Sequence, residues 1–394
     1  MAWLSAAEAL TRLQVQPQTL YAYVSRGRIQ TKPDPAHPRR SLYLAQDVLR
    51  LADRPRGGRR PEAVAAEAIA WGEPVLPSAV STVLEGRLYY RGRDAGVLAE
   101  TATLEAVAAL LWDAPEGERL FPAERPKPLW LPALPPAARA FAALARRAGT
   151  DAPTLGRSPA VLRAEAAGLA ESMIDVLAGP PDVADRPVHS RLALAWGADE
   201  RSADLIRRAL VLLADHELNA STFAARVTAS TGASLAASML AGLSALSGPL
   251  HGGAAEQLRA LADRAEIMGG EPAARAWLAQ GWPLPGFGHP LYPEGDLRAA
   301  RLLAAFEPSG PLRDLAAAAE ALTGEKPNID FALTALAEGA GLPPEAPFVL
   351  FAAARSAGWL AHALEQASTG RLIRPRARYV GPPVETPEAL KGGA

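Results

Sequence analysis

The chain has no cysteine among its 394 residues. Disulfides, thiolate metal sites and a cysteine nucleophile are therefore excluded, and a reducing compartment is the natural setting. Lysine is almost absent as well. Lys32, Lys127, Lys326 and Lys391 are the only four, so arginine carries the basic charge. With abundant alanine and 36 prolines, this reads as codon bias. Asparagine occurs twice, at Asn219 in "HELNAST" and Asn328 in "KPNID", each close to a histidine or an aspartate. The start, "MAWLSAAEALTRL", lacks a basic segment followed by an apolar one, so no secretory signal is expected and a cytoplasmic protein is. Val227 to Ala255 contains no Lys, Arg, Asp or Glu, yet serine, threonine and glycine interrupt it and Pro249 closes it. Too few large apolar side chains remain for a membrane span. A buried helix is expected there, with small residues that admit a close neighbour.

The net charge of −1 hides an asymmetry. Residues 1–60 hold 11 basic and 4 acidic side chains, about +7, so the remainder carries about −8. Such a head and body point to separate partners. In the head, Ser5 and Glu8 form a capping box opening "AAEALTRL", and "QPQTLYAYVSRGRI" starts a second short helix. A Pro-rich basic loop, a short strand and a helix capped near Ala45–Asp47 follow. This part resembles the DNA-binding module of MerR-type regulators, a winged helix-turn-helix spanning residues 1–53. The resemblance implies that Thr19, Tyr21, Arg26, Arg28, Arg39 and Arg40 face nucleic acid. A helical hairpin used for packing or dimerisation is the alternative. Residues 54–74, with the basic "RPRGGRRPE", read as linker and lead-in.

Beyond the linker, "STVLEGRLYYRGRD" has the alternation of a hairpin with Glu85-Gly86 at its turn. Helical periodicity dominates elsewhere, over 136–149, 161–178, 200–213, 220–246, 254–267, 312–323 and 344–367. The body, residues 75–394, is therefore expected to be mainly α.

Only six histidines occur. Three of them sit at helix-end signals: His216 in "LLADHELNASTF", His251 in "LSGPLHGGAAEQ" and His289 in "PLPGFGHPLYPEGDLRA". Asp330 in "KPNIDFAL" is a fourth titratable group of this kind. The intervals are 35, 38 and 41 residues, with no H-x-x-x-H pair, so a zinc site is not expected. No phosphate-binding loop or nucleophile elbow is present, and "GFGH" lacks the context of a dinucleotide fingerprint. His362 reads as structural; His37, in the proposed wing, and His189, in a loop, carry no role.

Taken in order, "STVLEGRLYYRGRD", "DHELNASTFAARVTAST", "GPLHGGA", "PGFGHPLYPEGDLRA", "PNIDF", "ARSAGWLAHALEQ" and "RLIRPRARYVGP" resemble the citrate synthase family from about residue 75 to 382. The resemblance implies a large and a small helical domain, the small one at about 253–341, with the active site between them. It implies condensation of acetyl-CoA with oxaloacetate and thioester hydrolysis, in a homodimer. CoA is then a substrate, and no cofactor or metal is needed. His251 matches the histidine that hydrogen-bonds the thioester oxygen as it becomes an enolate. His289 matches the one that polarises the oxaloacetate carbonyl, and Asp330 the base that takes the methyl proton. His216, Arg298 and Arg355 match oxaloacetate ligands, Phe351 an aromatic beside the acetyl group, and Arg374 an arginine lent by the partner subunit. Leu284, Pro285, Gly286, Phe287 and Gly288 match the CoA-binding loop. Ala255 stands where the family usually has Asn, Pro290 where Arg is common, and Leu297 where Pro is common. A 2-methylcitrate synthase using propionyl-CoA, and a transcriptional regulator that only senses these metabolites, are the alternative readings. Elementary chemistry fits the first: removing a proton next to a thioester needs a base and a donor for the developing oxyanion.

Overall fold

This computed structural model describes residues 3–13, 15, 17–25, 29–34, 40–45, 47–48, 76–118, 120–121, 131–179, 186–252, 254–377 and 379–382. It divides into two compact units, residues 1–75 with 378–394, and residues 76–377.

In the first unit the Ser5–Glu8 capping box forms as expected. The Ser5 amide donates to Glu8 Oε2 at 2.8 Å and the Glu8 amide to Ser5 Oγ at 3.3 Å. The helix Ala6–Leu13 opens there, and Pro17–Ser25 follows. Ser41–Leu44 is the central strand of an antiparallel sheet, between Trp3–Leu4 and Thr31–Pro33. The periodicity reading missed Trp3–Leu4, because two residues carry no detectable alternation. Ala9, Leu13, Leu20, Ile29, Tyr43 and Val48 form the core. Thr19 is half-buried, Tyr21 lies on the second helix and Arg40 is exposed. Arg26, Arg28, Arg39, His37 and the linker 54–62 lie outside the described residues.

The second unit is mainly helical. Its hairpin pairs Ser81–Leu84 with Arg87–Tyr90, and Arg93–Asp94 adds a short third strand. Glu85 and Gly86, at φ 51° and 73°, make the two-residue turn that the sequence placed there. Tyr90 is fully buried and donates to the Val211 carbonyl at 2.9 Å, which fixes the hairpin against the last turn of the helix Glu200–Leu213.

The single helix expected over 220–246 is two helices, Ala220–Ser230 and Leu235–Leu246. Gly232, at φ 80°, reverses the chain and Ser234 caps the second helix. The absence of charge hid the break, since small polar residues serve both a buried helix and a tight turn. The expectation of a close neighbour holds. A Cβ on Gly242 would lie 2.7 Å from the Trp359 ring. Six short helices escaped the periodicity reading: Ala95–Thr101, Leu104–Leu111, Val188–Ala195, Gly270–Leu278, Leu297–Leu303 and Ile329–Gly339. Most span about two to three turns, too few for an amphipathic period to emerge. His189 accordingly sits in a helix, not a loop.

Two apolar cores organise this unit. The larger surrounds the helix Ala346–Thr369, which buries Leu350, Trp359 and Leu360. The smaller is drawn from the helices Ala254–Met268, Gly270–Leu278 and Gly310–Thr323, with Leu284 and Phe287. Among the described residues no helix is long and apolar enough to cross a membrane.

Candidate active site

The segments singled out by their helix-end signals converge where the two cores meet. His216 follows Glu200–Leu213 and precedes the Asn219 cap of the next helix. The Asn219 side-chain Oδ1 accepts the Thr222 amide at 3.1 Å, and its Nδ2 donates to the His216 carbonyl at 3.1 Å. That cap turns the chain so that the His216 ring stands edge-on to His289, with centroids 5.2 Å apart. Tyr292 joins them. Its ring centroid is 4.9 Å from that of His289, and its hydroxyl is 2.7 Å from His216 Nε2.

Buried imidazoles resist protonation. Burial, and then the positive charge of Arg298, hold the His289 pKa down to about 4. Burial and then Arg355 do the same to His251, also to about 4. His216 is pushed well below its ordinary value by burial and by both arginines. All three are neutral at physiological pH, so each carries one N–H. In His289 the position of that proton is set. The Leu291 amide donates to Nδ1 at 3.1 Å, which leaves Nε2–H as the outward donor.

His251 lies in the turn before Ala254–Met268, edge-on to Phe351 at 5.8 Å. Its Nε2 is 2.9 Å from Ser221 Oγ. Trp359 Nε1 donates into that hydroxyl at 3.1 Å, and Asn219 Oδ1 lies 2.8 Å away. The hydroxyl proton thus has two acceptors in reach, and giving it to Nε2 makes His251 Nδ1–H a donor. Sequence reading assigned nothing to Ser221, Tyr292 or Trp359, although Ser221 falls within "HELNAST" two residues after Asn219.

Asp330 is the second residue of Ile329–Gly339, capped by Asn328, whose Oδ1 accepts the Asp330 amide at 3.0 Å. Burial raises the Asp330 pKa to about 6 against the opposing pull of Arg298. A carboxylate so placed is a better proton acceptor than an ordinary one and is still ionised at neutral pH.

Arg298 and Arg355 are both buried. Asp296 holds Arg298 through two hydrogen bonds, 3.0 Å to Nε and 2.8 Å to an Nη. Arg355 donates Nε to the Leu213 carbonyl at 2.9 Å, and its ring neighbour is Phe351 at 4.8 Å. One Nη of Arg355 is buried without a hydrogen-bond partner among the described residues. Burial lowers the Arg355 pKa to about 10, so it remains a cation with donors to spare. A buried cation with an unpaired donor, beside neutral imidazoles, suits a small anion.

Arg374 stands apart from this group. It is exposed and lines a cavity of about 930 Å³ with Pro77, Arg226, Glu365 and Arg371. In the segment 284–288 the Leu284 and Phe287 side chains are buried in the smaller core. Pro285 and Gly288 are half-buried, and Gly286 is buried. His362 is structural, as expected: Arg226 donates to its Nδ1 at 3.1 Å, so its Nε2–H bonds Asp215 at 3.1 Å.

Comparison with known proteins shows the family and the fold. The profile of the citrate synthase C-terminal domain fits residues 138–376. Citrate synthase 2 of Bacillus subtilis is 32% identical over 357 residues, covering 79% of this chain and 95% of that protein. The crystal structure of citrate synthase from Thermotoga maritima aligns with a TM-score of 0.64 at 28% identity, over 80% of this chain and 96% of the other. A ternary complex of carboxymethyl coenzyme A and oxaloacetate with citrate synthase from Thermoplasma acidophilum aligns with a TM-score of 0.62 at 25% identity, over 79% of this chain and 95% of the other. The fold and these relatives define a mainly helical enzyme of carbon–carbon condensation. The chain belongs to the citrate synthase family.

Proposed function

We propose that the protein condenses acetyl-CoA with oxaloacetate and hydrolyses the resulting thioester to citrate and CoA. The observation that carries this reading is the convergence of neutral histidines, a carboxylate of raised pKa and two buried arginines in one cleft. Arg298, Arg355 and His216 hold the oxaloacetate carboxylates. His289 Nε2–H donates to the carbonyl that is attacked. Asp330 takes a methyl proton from the thioester, and His251 Nδ1–H, backed by Ser221, donates to the enolate oxygen. Phe351 packs beside the acetyl group. Neutral donors suit this step, because each donates to the oxyanion without surrendering its proton outright. The carbanion carbon then bonds to the oxaloacetate carbonyl carbon as the C=O π bond breaks, the alkoxide takes up one proton, which balances the one taken by Asp330, and water cleaves the thioester to a carboxylate and free thiol.

The smaller core with its surroundings, about residues 253–341, acts as the small domain, and the backbone of 284–288 receives CoA. Two copies pair, and Arg374 reaches the partner's cleft. Residues 1–53 bind DNA, a reading supported by their charge and by their order of helices and strands. Release of free thiol from acetyl-CoA, dependent on oxaloacetate, tests the activity. Propionyl-CoA as the preferred substrate would make the protein a 2-methylcitrate synthase, and no release with either would leave a sensor. Deletion of 1–53 should preserve turnover and abolish a DNA affinity that weakens steeply with salt.

A further inference from the structure

The turn from His289 to Gly295 carries one feature that the reaction above does not use. Tyr292 is buried and projects across the cleft toward the larger core. Its hydroxyl meets His216 Nε2 at 2.7 Å, and the Arg298 guanidinium lies over its ring at 5.2 Å. The phenol has one proton to place. Arg298 only donates, and the His289 Nδ1 lone pair is taken by the Leu291 amide. Among the described residues His216 Nε2 is the one acceptor within hydrogen-bond distance of that hydroxyl. The reverse arrangement, with His216 Nε2–H donating, would leave a buried phenolic O–H without an acceptor.

We propose that Tyr292 is a positioning residue: its phenol donates to His216 Nε2, fixes the His216 proton on Nδ1, and ties the loop of His289 to the segment of His216. The proposal rests on the condensation read above, in which His216 must offer a donor to oxaloacetate. Burial supports it, since it pushes the phenol up to about 12 and keeps the imidazole neutral. One short turn thereby sets two histidines in opposite tautomers. The backbone of Leu291 takes Nδ1 of His289 and exposes Nε2–H, while the side chain of Tyr292 takes Nε2 of His216 and exposes Nδ1–H. Each imidazole offers one donor, and neither competes with the other for a proton.

The test uses the full chain labelled with ¹⁵N-histidine, with the His216 signals assigned by their loss in His216→Gln. Ring ¹⁵N shifts in the wild type should show Nδ1 protonated and Nε2 as a bare acceptor. Tyr292→Phe keeps the ring and its packing but removes the donor. In it the His216 proton should move to Nε2, and KM for oxaloacetate should rise about tenfold, the loss of one good hydrogen bond, with kcat and the acyl-CoA KM within about threefold. A wild-type His216 protonated on Nε2 overturns the proposal. So does a phenylalanine variant whose tautomer is unchanged. Failure of the condensation reading is separate: it appears as no thiol release by the wild type, and the ring shifts still decide the role of Tyr292.

Discussion

Asp296 grips Arg298 with both carboxylate oxygens and, through Oδ2, also accepts the Ile329 amide at 3.0 Å. One side chain thus fixes the Arg298 guanidinium and the first residue of the helix that bears Asp330. Burial alone would raise the Asp296 pKa, but Arg298 outweighs it and holds the carboxyl below its ordinary value.

Asp296→Asn should therefore lose more than a charge. An amide cannot accept from both forks of Arg298 and from Ile329. Breaking a buried pair of this kind costs about 3–5 kcal/mol, to be read from the urea midpoint. The negative charge of Asp296 also helps raise the Asp330 pKa. The rate–pH midpoint of the variant should fall below that of the wild type. An unchanged midpoint would show that Asp330 does not titrate in the rate.

The wild-type rate should rise with pH through about 6, where Asp330 becomes ionised and able to accept a proton. Asp330→Asn removes the base and should lower turnover by about 10²–10⁴-fold. Oxaloacetate binding, measured by calorimetry, should survive. Turnover near wild type in this variant would exclude Asp330 as the base.

Arg374 lines a cavity that includes none of His216, His251 and His289 among the described residues. If it completes a partner's cleft, mixing Arg374→Ala with Asp330→Asn, both inactive alone, should restore activity, because a mixed dimer holds one intact site. No recovery after verified subunit exchange would place Arg374 outside catalysis in trans.

Gly242→Ala tests a packing contact that touches the site at second hand. The new methyl would meet the Trp359 ring at 2.7 Å, and Trp359 donates to Ser221. Overpacking of this sort destabilises by about 1–3 kcal/mol. The urea midpoint should fall, and kcat with it as Ser221 loses its donor. A variant as stable as the wild type would mean that the helices yield without strain.

The titratable groups of the candidate site were legible in short strings, because His216, His251, His289 and Asp330 each sit at a helix end that the sequence announces; the roles expected of them came from the family resemblance. The long helices were legible from their period. What escaped were the groups whose meaning lies in a partner distant along the chain. Tyr292 reads as an unremarkable aromatic until His216, 76 residues away, is brought to it. Ser221 reads as a helix-opening serine until Trp359 and His251 arrive. The break at Gly232 and the short helices were hidden for a different reason: a few turns of small residues carry no period.

The helix Ile329–Gly339 gives Ile329, Ala332, Leu333 and Leu336 to the larger core and Phe331 and Ala335 to the smaller. It is an axle common to both. If the smaller core rocks against the larger to admit or release substrate, groups far from this helix sweep the widest arc and Asp330, near its end, moves least. The proton acceptor would then keep its aim through the cycle while the surroundings open and shut around it, and a substitution that loosened Phe331 would blur that aim without touching any group that meets substrate.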